Sequence, residues 1–174
     1  SKIFHFSGYQ WDTEGQKETI LEAIKLARSN ECLVSFDIAD PFVVKNNKED
    51  FRKLIHDSVD IVFANEQEAF ELYGGSIEKC FEQARAKITV VKRGAEGALI
   101  RQRETEKLIN VSAISTDVVD TTGAGDMFAA GFLYGYSSDL PLEVCGEYAA
   151  TLASDVISNY GASLSSAVIN RIKA

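Results

Sequence analysis

The chain has 174 residues, a length that fits one compact domain. Hydrophobic residues make up 45% and charged residues 25%, which is typical of a globular protein and argues against a disordered chain or a bundle of membrane-spanning helices. The 18 Lys and Arg residues against 26 Asp and Glu residues give a net charge of −8, which would repel a nucleic-acid backbone.

The cysteines predict free thiols in a cytoplasmic protein. Only three are present, widely spaced at Cys32, Cys80 and Cys145, with two histidines in the whole chain. A disulfide framework or a zinc site would need closely spaced partners. The longest apolar run, 127–134, is too short to cross a bilayer, and no leader pattern begins the chain. We therefore expect neither a targeting segment nor a membrane partner.

Strand and helix patterns alternate along the first half of the chain. The strands are predicted over Ile3–Tyr9, Cys32–Ile38, Asp60–Ala64 and Ile88–Lys92. The intervening helices are predicted over Gln16–Ser29, Lys48–Val59, Glu66–Tyr73 and Ile77–Arg85. Parallel neighbours need long crossovers, and helices supply them, so this alternation predicts a parallel sheet.

The second half begins with two short strands and continues as helices. The strands Gly97–Arg101 and Lys107–Val111 flank a charged turn and predict a hairpin at a margin of the sheet. Helices are predicted over Gly123–Tyr136, Leu142–Ser158 and Ser165–Ile172. No repeat or linker interrupts the chain, so residues 1–174 are predicted to form a single α/β domain, a three-layer fold with a mostly parallel sheet flanked by helices.

The stretch DTTGAGD at residues 120–126 leads directly into an apolar helical pattern. The first turn of a helix has unpaired N–H donors, and small residues allow a phosphate to approach them. The carboxylate of Asp126 would lie at the same helix mouth, where it can accept a proton from an attacking hydroxyl. The sequence therefore predicts an anion hole formed by Gly123, Ala124 and Gly125 beside a catalytic base.

Helix capping offers a simpler explanation of the same residues. Thr and Asp are good caps, and an acid in the first turn complements the helix dipole. Two glycines, two threonines and two aspartates in seven residues exceed what one cap requires, so a phosphate site is favoured. Other templates fail, because the chain lacks GxxxxGK[ST], HExxH, CxxC and GxSxG, and Phe128 replaces the third glycine of a dinucleotide fingerprint.

Asn65 and Glu68 follow a predicted strand where the chain turns into a helix. Ligands of α/β sheets bind at this carboxyl-end rim. There a carboxylate could order the water around Mg²⁺ and an amide could contact phosphate. A capping pair, with Asn65 as the N-cap and Glu68 three residues later, explains the same spacing, and on spacing alone this second explanation is favoured.

A third group of residues lies at the end of the next strand, in the segment 92–97. Its glycines, Gly94 and Gly97, would let a ligand approach the backbone, and Lys92 could offset phosphate charge, although a simple turn explains these residues equally well. Asp37 and Asp40 lie at the end of the second strand, where they are as well explained by forming a turn as by binding a ligand.

These motifs together resemble the ribokinase-like carbohydrate kinases, also called the PfkB family. DTTGAGDMFAAGFLYG resembles the second signature of that family, ANEQEA its NxxE element and KRGAEGALI its nucleotide loop. FDIADPF followed by VDIVFANEQEA is most similar to the adenosine kinase branch. The resemblance extends from Phe4 to about Gly161. It implies a phosphotransferase that uses ATP to phosphorylate a hydroxymethyl group of a sugar or nucleoside.

The resemblance also implies roles for particular residues. Asp126 would be the base, Asn65 and Glu68 would organise Mg²⁺ and phosphate, and Asp120 and Thr122 would lie at a monovalent cation such as K⁺, with a weaker match at Ser165. The nucleotide would lie beside four of the residues already singled out, Asn65, Lys92, Gly94 and Gly97.

Members of this family are longer and begin with a substrate-binding half, so the chain resembles their C-terminal, nucleotide-binding and catalytic part, inactive alone. A homodimer through the strand Ile3–Tyr9 is also expected. Two alternatives stay open at this point. The chain could be a non-catalytic nucleotide- or metabolite-binding module of the same fold, or a sugar kinase of the ribokinase or fructokinase type.

Overall fold

The computed structural model describes residues 1–173, which contain six strands and seven α-helices. The strands are β1 (Ile3–Ser7), β2 (Leu33–Asp37), β3 (Ile61–Asn65), β4 (Ile88–Lys92), β5 (Ala98–Gln102) and β6 (Lys107–Val111). The helices are α1 (Glu14–Ser29), α2 (Pro41–Asp57), α3 (Glu66–Tyr73), α4 (Ile77–Gln83), α5 (Ala124–Ser137), α6 (Leu142–Ile157) and α7 (Ser166–Lys173). Short 3₁₀ turns follow β1 at Gly8–Trp11 and β4 at Gly94–Glu96.

The strands form one mixed sheet in the order β1-β2-β3-β4-β5-β6, which confirms the predicted α/β class. The first four are parallel, with Phe6 opposite Phe36, Phe36 opposite Val62 and Asn65 opposite Lys92. Each crossover between them contains a helix, as parallel strands require. The last residues of β2, β3 and β4 therefore share one edge of the sheet. β1 is an edge strand of this sheet. The homodimer expected through this strand stays a prediction.

The chain separates into two compact units. The first contains residues 1–92 and 101–108, and the second contains residues 93–100 and the chain from Ile109 onward. The single domain expected over residues 1–174 stays a prediction. No helix among the described residues is both long and apolar enough to cross a bilayer.

Aromatic rings form much of the core of the first unit. The Phe36 ring stacks on Phe6 at 4.7 Å between centroids and meets Phe51 edge-on at 5.0 Å, and all three side chains are buried. Such pairs add to the burial energy of the rings themselves. A Cβ on Gly8 would overlap the carbonyl oxygen of Ile38, so a glycine is needed where the 3₁₀ turn crosses the end of β2. This core fixes the carboxyl ends of the parallel strands.

In the second unit, α5 and α6 pack closely through small residues. A Cβ on Gly131 would lie 2.7 Å from the Tyr148 carbonyl oxygen, and one on Gly135 would lie 3.1 Å from the Cys145 Cα. Larger side chains would push the helices apart. This contact fixes α5 and therefore the turn at its amino end.

Most predicted elements are confirmed, and the main difference is in α2. An additional helical segment begins at Pro41, and the non-helical Asn47 (φ −127°, ψ 24°) separates it from the segment predicted from Lys48. Proline is well suited to the first turn of a helix because its missing N–H would be unpaired there. Asp40 is the N-cap, and its Oδ1 accepts the Phe42 N–H at 2.8 Å. Asp40, left open between a turn former and a ligand, is therefore a helix cap. β1 also ends earlier, at Ser7, whose side chain caps the following 3₁₀ turn.

Candidate functional site

The turn before α5 depends on a glycine at position 123. Gly123 is the N-cap residue and has φ +79°, in the left-handed region that other residues rarely adopt. A Cβ at this position would also lie 2.8 Å from the Ala162 Cβ. A residue with a side chain is therefore disfavoured at this position, both by the backbone conformation and by the close approach of Ala162.

Backbone N–H groups at this turn are available, but they differ in part from those predicted. The described residues supply no acceptor for the N–H groups of Gly123, Gly125 and Asp126. The Ala124 N–H instead donates to the Thr121 carbonyl oxygen at 3.2 Å. The prediction that Ala124 contributes a free donor is therefore wrong for this structure, because a turn already uses that group.

Asp126 lies in the first turn of α5, and its side chain is exposed. Among the side chains and backbone groups that the structure describes, none forms a hydrogen bond or ion pair with its carboxylate. A carboxylate in this place can accept a proton from a hydroxyl group, while the neighbouring N–H groups and the helix dipole stabilise negative charge.

The carboxylate of Asp120 is already used inside the protein. Its Oδ1 accepts the Thr122 N–H at 2.9 Å, and its Oδ2 accepts the Gly161 N–H at 3.0 Å. The hydrogen bonds from Thr122, with a smaller one from Gly161, hold the pKa of Asp120 below its ordinary value. Ser165 is likewise engaged, since its Oγ donates to Asp155 Oδ1 at 2.6 Å. A monovalent cation at Asp120 and Thr122 stays a prediction from the resemblance.

In the first unit, Asn65 and Glu68 form a complete capping box at the start of α3. Glu68 Oε2 accepts the Asn65 N–H at 2.7 Å, and Glu68 Oε1 accepts Asn65 Nδ2 at 2.6 Å. Asn65 Oδ1 in turn accepts the Glu68 N–H at 2.8 Å. The capping explanation of this pair is confirmed, and any bond to Mg²⁺ must use the lone pairs that remain.

Glu68 is buried, with 2% of its surface exposed. Loss of solvation raises the pKa of this carboxyl, while the nearby positive charge of Lys92 and the hydrogen bond from the Asn65 backbone partly oppose that shift. A buried acid with a raised pKa is a feature of functional sites as well as of structural networks.

Lys92, at the end of β4, donates a hydrogen bond to Asp37, at the end of β2. Its Nζ lies 2.7 Å from Asp37 Oδ2, and the other carboxylate oxygen accepts the Ala39 N–H at 3.1 Å. The ammonium group predicted to offset phosphate charge is therefore already paired inside the protein. Asp37, which the sequence left open between turn former and ligand, is both a turn former and the partner of Lys92.

The glycines after β4 are explained by the shape of the turn. Gly94 and Gly97 have φ +56° and φ +84°, and a Cβ on Gly97 would overlap the Val111 carbonyl oxygen. Arg93 closes the turn, since its N–H donates to the Gly97 carbonyl oxygen at 2.7 Å and its Nη2 donates to Asn110 Oδ1 at 2.8 Å. A Cβ on Gly94 would meet nothing within 4 Å, so this glycine leaves open space beside the backbone.

Each unit thus contains its own group of predicted site residues. The first unit brings Asn65, Glu68 and Lys92 to the carboxyl ends of β3 and β4. The second unit contains the turn at 94–97 and the segment 120–126. Among the residues that the structure describes, no three His, Cys, Asp or Glu side chains are grouped so that they alone could hold a metal ion.

Sequence reasoning missed two partners of these groups. The amide of Gly161 lies 41 positions along the chain from Asp120, and the carboxylate of Asp37 lies 55 positions from Lys92. The predicted parallel sheet was the available signal for Asp37, because the carboxyl ends of all its parallel strands lie along one edge. No local pattern pointed to Gly161.

Comparison with known proteins shows similarity to one family of kinases. The family profile described as pfkB family carbohydrate kinase matches residues 1–168. A 5-dehydro-2-deoxygluconokinase from Listeria monocytogenes is 31% identical over 163 residues, which cover 88% of this chain and 50% of that protein.

Two solved structures are similar over nearly the whole chain. Adenosine kinase from Sinorhizobium meliloti has a TM-score of 0.93 at 34% identity, covering 99% of this chain and 54% of that one. A probable sugar kinase from Rhizobium etli has a TM-score of 0.93 at 37% identity, with coverages of 99% and 53%. The chain spans about half the length of these proteins.

Proposed function

The chain belongs to the pfkB family of carbohydrate kinases, and on that basis we propose that it is the nucleotide-binding and catalytic part of an ATP-dependent kinase. The acceptor is a hydroxymethyl group of a sugar or nucleoside. Because the chain spans about half of its relatives, the remaining contacts to the acceptor would come from outside these residues, and the chain alone would be inactive.

The exposed carboxylate of Asp126 beside unpaired backbone N–H groups is the observation that supports this proposal most strongly. In the reaction, the acceptor oxygen forms a bond to the γ-phosphorus of ATP, the bond from that phosphorus to the β,γ-bridging oxygen breaks, and ADP leaves. Asp126 accepts the proton of the hydroxyl group. The N–H groups of Gly123 and Gly125 stabilise the charge on the transferred phosphoryl group.

Mg²⁺ is compatible with the residues present. This ion usually keeps several waters and takes few protein ligands besides substrate phosphates, so it does not need a cluster of acidic residues. Asn65 and Glu68 would help to hold it through the carboxylate lone pairs not used in the capping box. When bound, the ion neutralises charge on the nucleotide phosphates.

The nucleotide would lie along the turn at Gly94 and Gly97. Open space beside Gly94 supports this placement, because a side chain there would obstruct an approaching ligand. Lys92 would contribute by holding Asp37 at the strand ends, since its ammonium group is paired there.

A panel of acceptors tests the proposal. The protein, at its natural full length, is incubated with ATP and Mg²⁺ together with adenosine, ribose or fructose, and ADP release is measured. Adenosine is the first choice, given the resemblance of FDIADPF to the adenosine kinase branch and the 34% identity to a bacterial adenosine kinase. Turnover of ribose or fructose instead would make it a sugar kinase. ATP binding without turnover of any acceptor would favour the non-catalytic module.

A further inference from the structure

The loop 158–165, between α6 and α7, is fixed at both ends by one residue. Asp155, in the last turns of α6, accepts the Ser165 N–H at 2.7 Å and the Ser165 Oγ hydroxyl at 2.6 Å through its carboxylate. At the other end, the Ser158 N–H donates to the Asp155 carbonyl oxygen at 3.2 Å. Hydrogen bonds to a charged carboxylate are stronger than those between neutral groups, so the two ends of the loop are held together.

The middle of the loop is fixed by a second carboxylate. Gly161 has φ +75°, and its N–H donates to Asp120 Oδ2 at 3.0 Å. The next residue, Ala162, lies against the turn before α5, since a Cβ on Gly123 would be 2.8 Å from the Ala162 Cβ. The loop therefore runs directly beside the backbone that forms the proposed anion hole.

Asp120 connects this loop to the turn before α5. While Oδ2 accepts from Gly161, Oδ1 accepts from Thr122, the residue that precedes Gly123. The backbone of the same segment is also fixed, because the N–H groups of Val119 and Asp120 donate to the Ile157 carbonyl oxygen at 2.8 and 3.3 Å. One side chain thus joins two backbone segments that lie far apart in sequence.

We propose that Asp120 is a positioning residue that holds the turn at Gly123 and the loop 158–165 in one fixed arrangement, through hydrogen bonds to Thr122 and Gly161. It does not touch the reacting atoms. For catalysis, this inference rests on the proposed function, because a fixed turn keeps the N–H groups of Gly123 and Gly125 oriented for a phosphoryl group. The connection itself is a property of the fold.

Amide hydrogen exchange, measured by NMR on the full-length protein, tests the connection without any substrate. Asp120→Asn keeps one acceptor oxygen but replaces the other by an NH₂ group, which cannot accept from Gly161. The Gly161 amide should exchange about 10- to 100-fold faster, as expected for loss of a hydrogen bond to a charged group, while Thr122 stays protected. Asp120→Ala should speed up exchange at both the Gly161 and the Thr122 amide. The control is Asp117→Asn, an exposed acid in the same segment.

Each outcome of the exchange experiment either supports or overturns a positioning role. Faster exchange at Gly161 that spreads to Ala124, whose N–H donates to the Thr121 carbonyl oxygen in the turn before α5, supports it when it occurs in KCl and in choline chloride alike. Exchange that is unchanged in Asp120→Ala overturns it. The wild-type Gly161 amide could instead exchange faster in choline chloride than in KCl, and at the same rate there as in the Asp120 variants. Asp120 then acts through a bound cation, which also overturns the proposal.

Kinetics then address the link to the reaction. Asp120→Asn should lower kcat with little change in the KM for ATP, whereas a general loss of folded protein would lower the active fraction and the melting temperature together. If kcat is unaffected although exchange is faster, the catalytic part of this inference is wrong. If the wild type itself shows no kinase activity, the proposed function fails while the exchange result still stands.

Discussion

Lys92 and Asp37 form an ion pair between two strand ends that are not adjacent in the sheet. The ammonium nitrogen lies 2.7 Å from Asp37 Oδ2, and only 16% and 9% of the two side chains are exposed. β3 lies between the strands that carry them, and its last residue, Asn65, is opposite Lys92. The pair therefore spans the strand that leads into the capping box and brings a positive charge near Glu68.

Removal of one member of this pair should destabilise the protein strongly. Asp37→Asn leaves a largely buried ammonium without its counter-charge, and the expected loss in the free energy of unfolding is about 3 kcal/mol. The double variant Asp37→Asn/Lys92→Met should recover part of that loss. Denaturant unfolding of the single and double variants gives the coupling energy.

The exposed pair of Lys25 and Glu22 is the matched control, since 74% and 75% of these side chains are exposed. A cycle with Lys25→Met and Glu22→Gln should show a coupling of about 0.3–0.5 kcal/mol. If the coupling of Lys92 and Asp37 is no larger, their burial does not strengthen the pair and our interpretation is wrong.

Asp126→Asn should abolish most phosphoryl transfer and leave ATP binding intact. A positioned general base contributes about 10²- to 10⁴-fold to a rate. With the acceptor that the panel identifies, kcat should therefore fall by at least about 10²-fold. Stability should change by less than about 1 kcal/mol, which is the usual effect of one charge at a helix end. ADP release and calorimetric titration of ATP measure the two effects.

Asp117→Asn is the control for this experiment, because it removes the same charge from an exposed residue nine positions earlier in the sequence. It should leave kcat within about twofold of the wild type. A fully active Asp126→Asn variant would remove the proposed base and with it the mechanism.

Gly123→Ala should impair both folding and activity. An alanine in the left-handed conformation costs about 1–2 kcal/mol, and here its Cβ would also contact the Ala162 Cβ at 2.8 Å. Gly94→Ala is the control, because Gly94 has φ +56° but open space around it. Denaturant unfolding should therefore show a larger loss at position 123 than at position 94. Equal losses would mean that the contact with Ala162 relaxes freely and that the turn is not rigidly held.

Most of the fold could be predicted because the hydrophobic periods agree with the final elements. α3 and β4 begin and end at the predicted residues, while α2 contains an additional segment from Pro41 that the non-helical Asn47 separates from the predicted part. The early start depends on Asp40 and Pro41, which are signals of a helix start, but the segment 41–47 lacks a clear apolar stripe. Capping chemistry therefore starts a separate helical segment ahead of the periodic part, and the backbone is kinked at Asn47 between them.

The candidate site was predicted less completely, because hydrogen-bond partners depend on tertiary structure. The free donor expected at Ala124 is used by a turn, and the free ammonium expected at Lys92 is paired with Asp37. Residue types show what a side chain can do, whereas its partners depend on which strand ends and loops the fold brings together. The place of Asp126 in a first helical turn was predicted well, since that turn is itself a local feature.

The buried carboxyl of Glu68 should give the protein a distinct pH dependence. Loss of solvation raises its pKa in the fold above the value of 4.5 for an exposed Glu, so the folded protein retains this proton at pH values where the unfolded chain has lost it. The contribution of Glu68 to stability is therefore most favourable below about pH 4.5 and falls as the pH rises through the folded pKa.

Glu68→Gln removes this titration at the cost of one acceptor in the capping box. The free energy of unfolding of the wild type, minus that of the variant, should decrease as the pH rises from 4.5. Denaturant unfolding at several pH values measures this difference. Glu66→Gln, an exposed acid in the first turn of the same helix, is the control. A difference for Glu68 that increases with pH would mean that the attraction of Lys92 and the backbone hydrogen bond outweigh the loss of solvation, and would contradict the raised pKa.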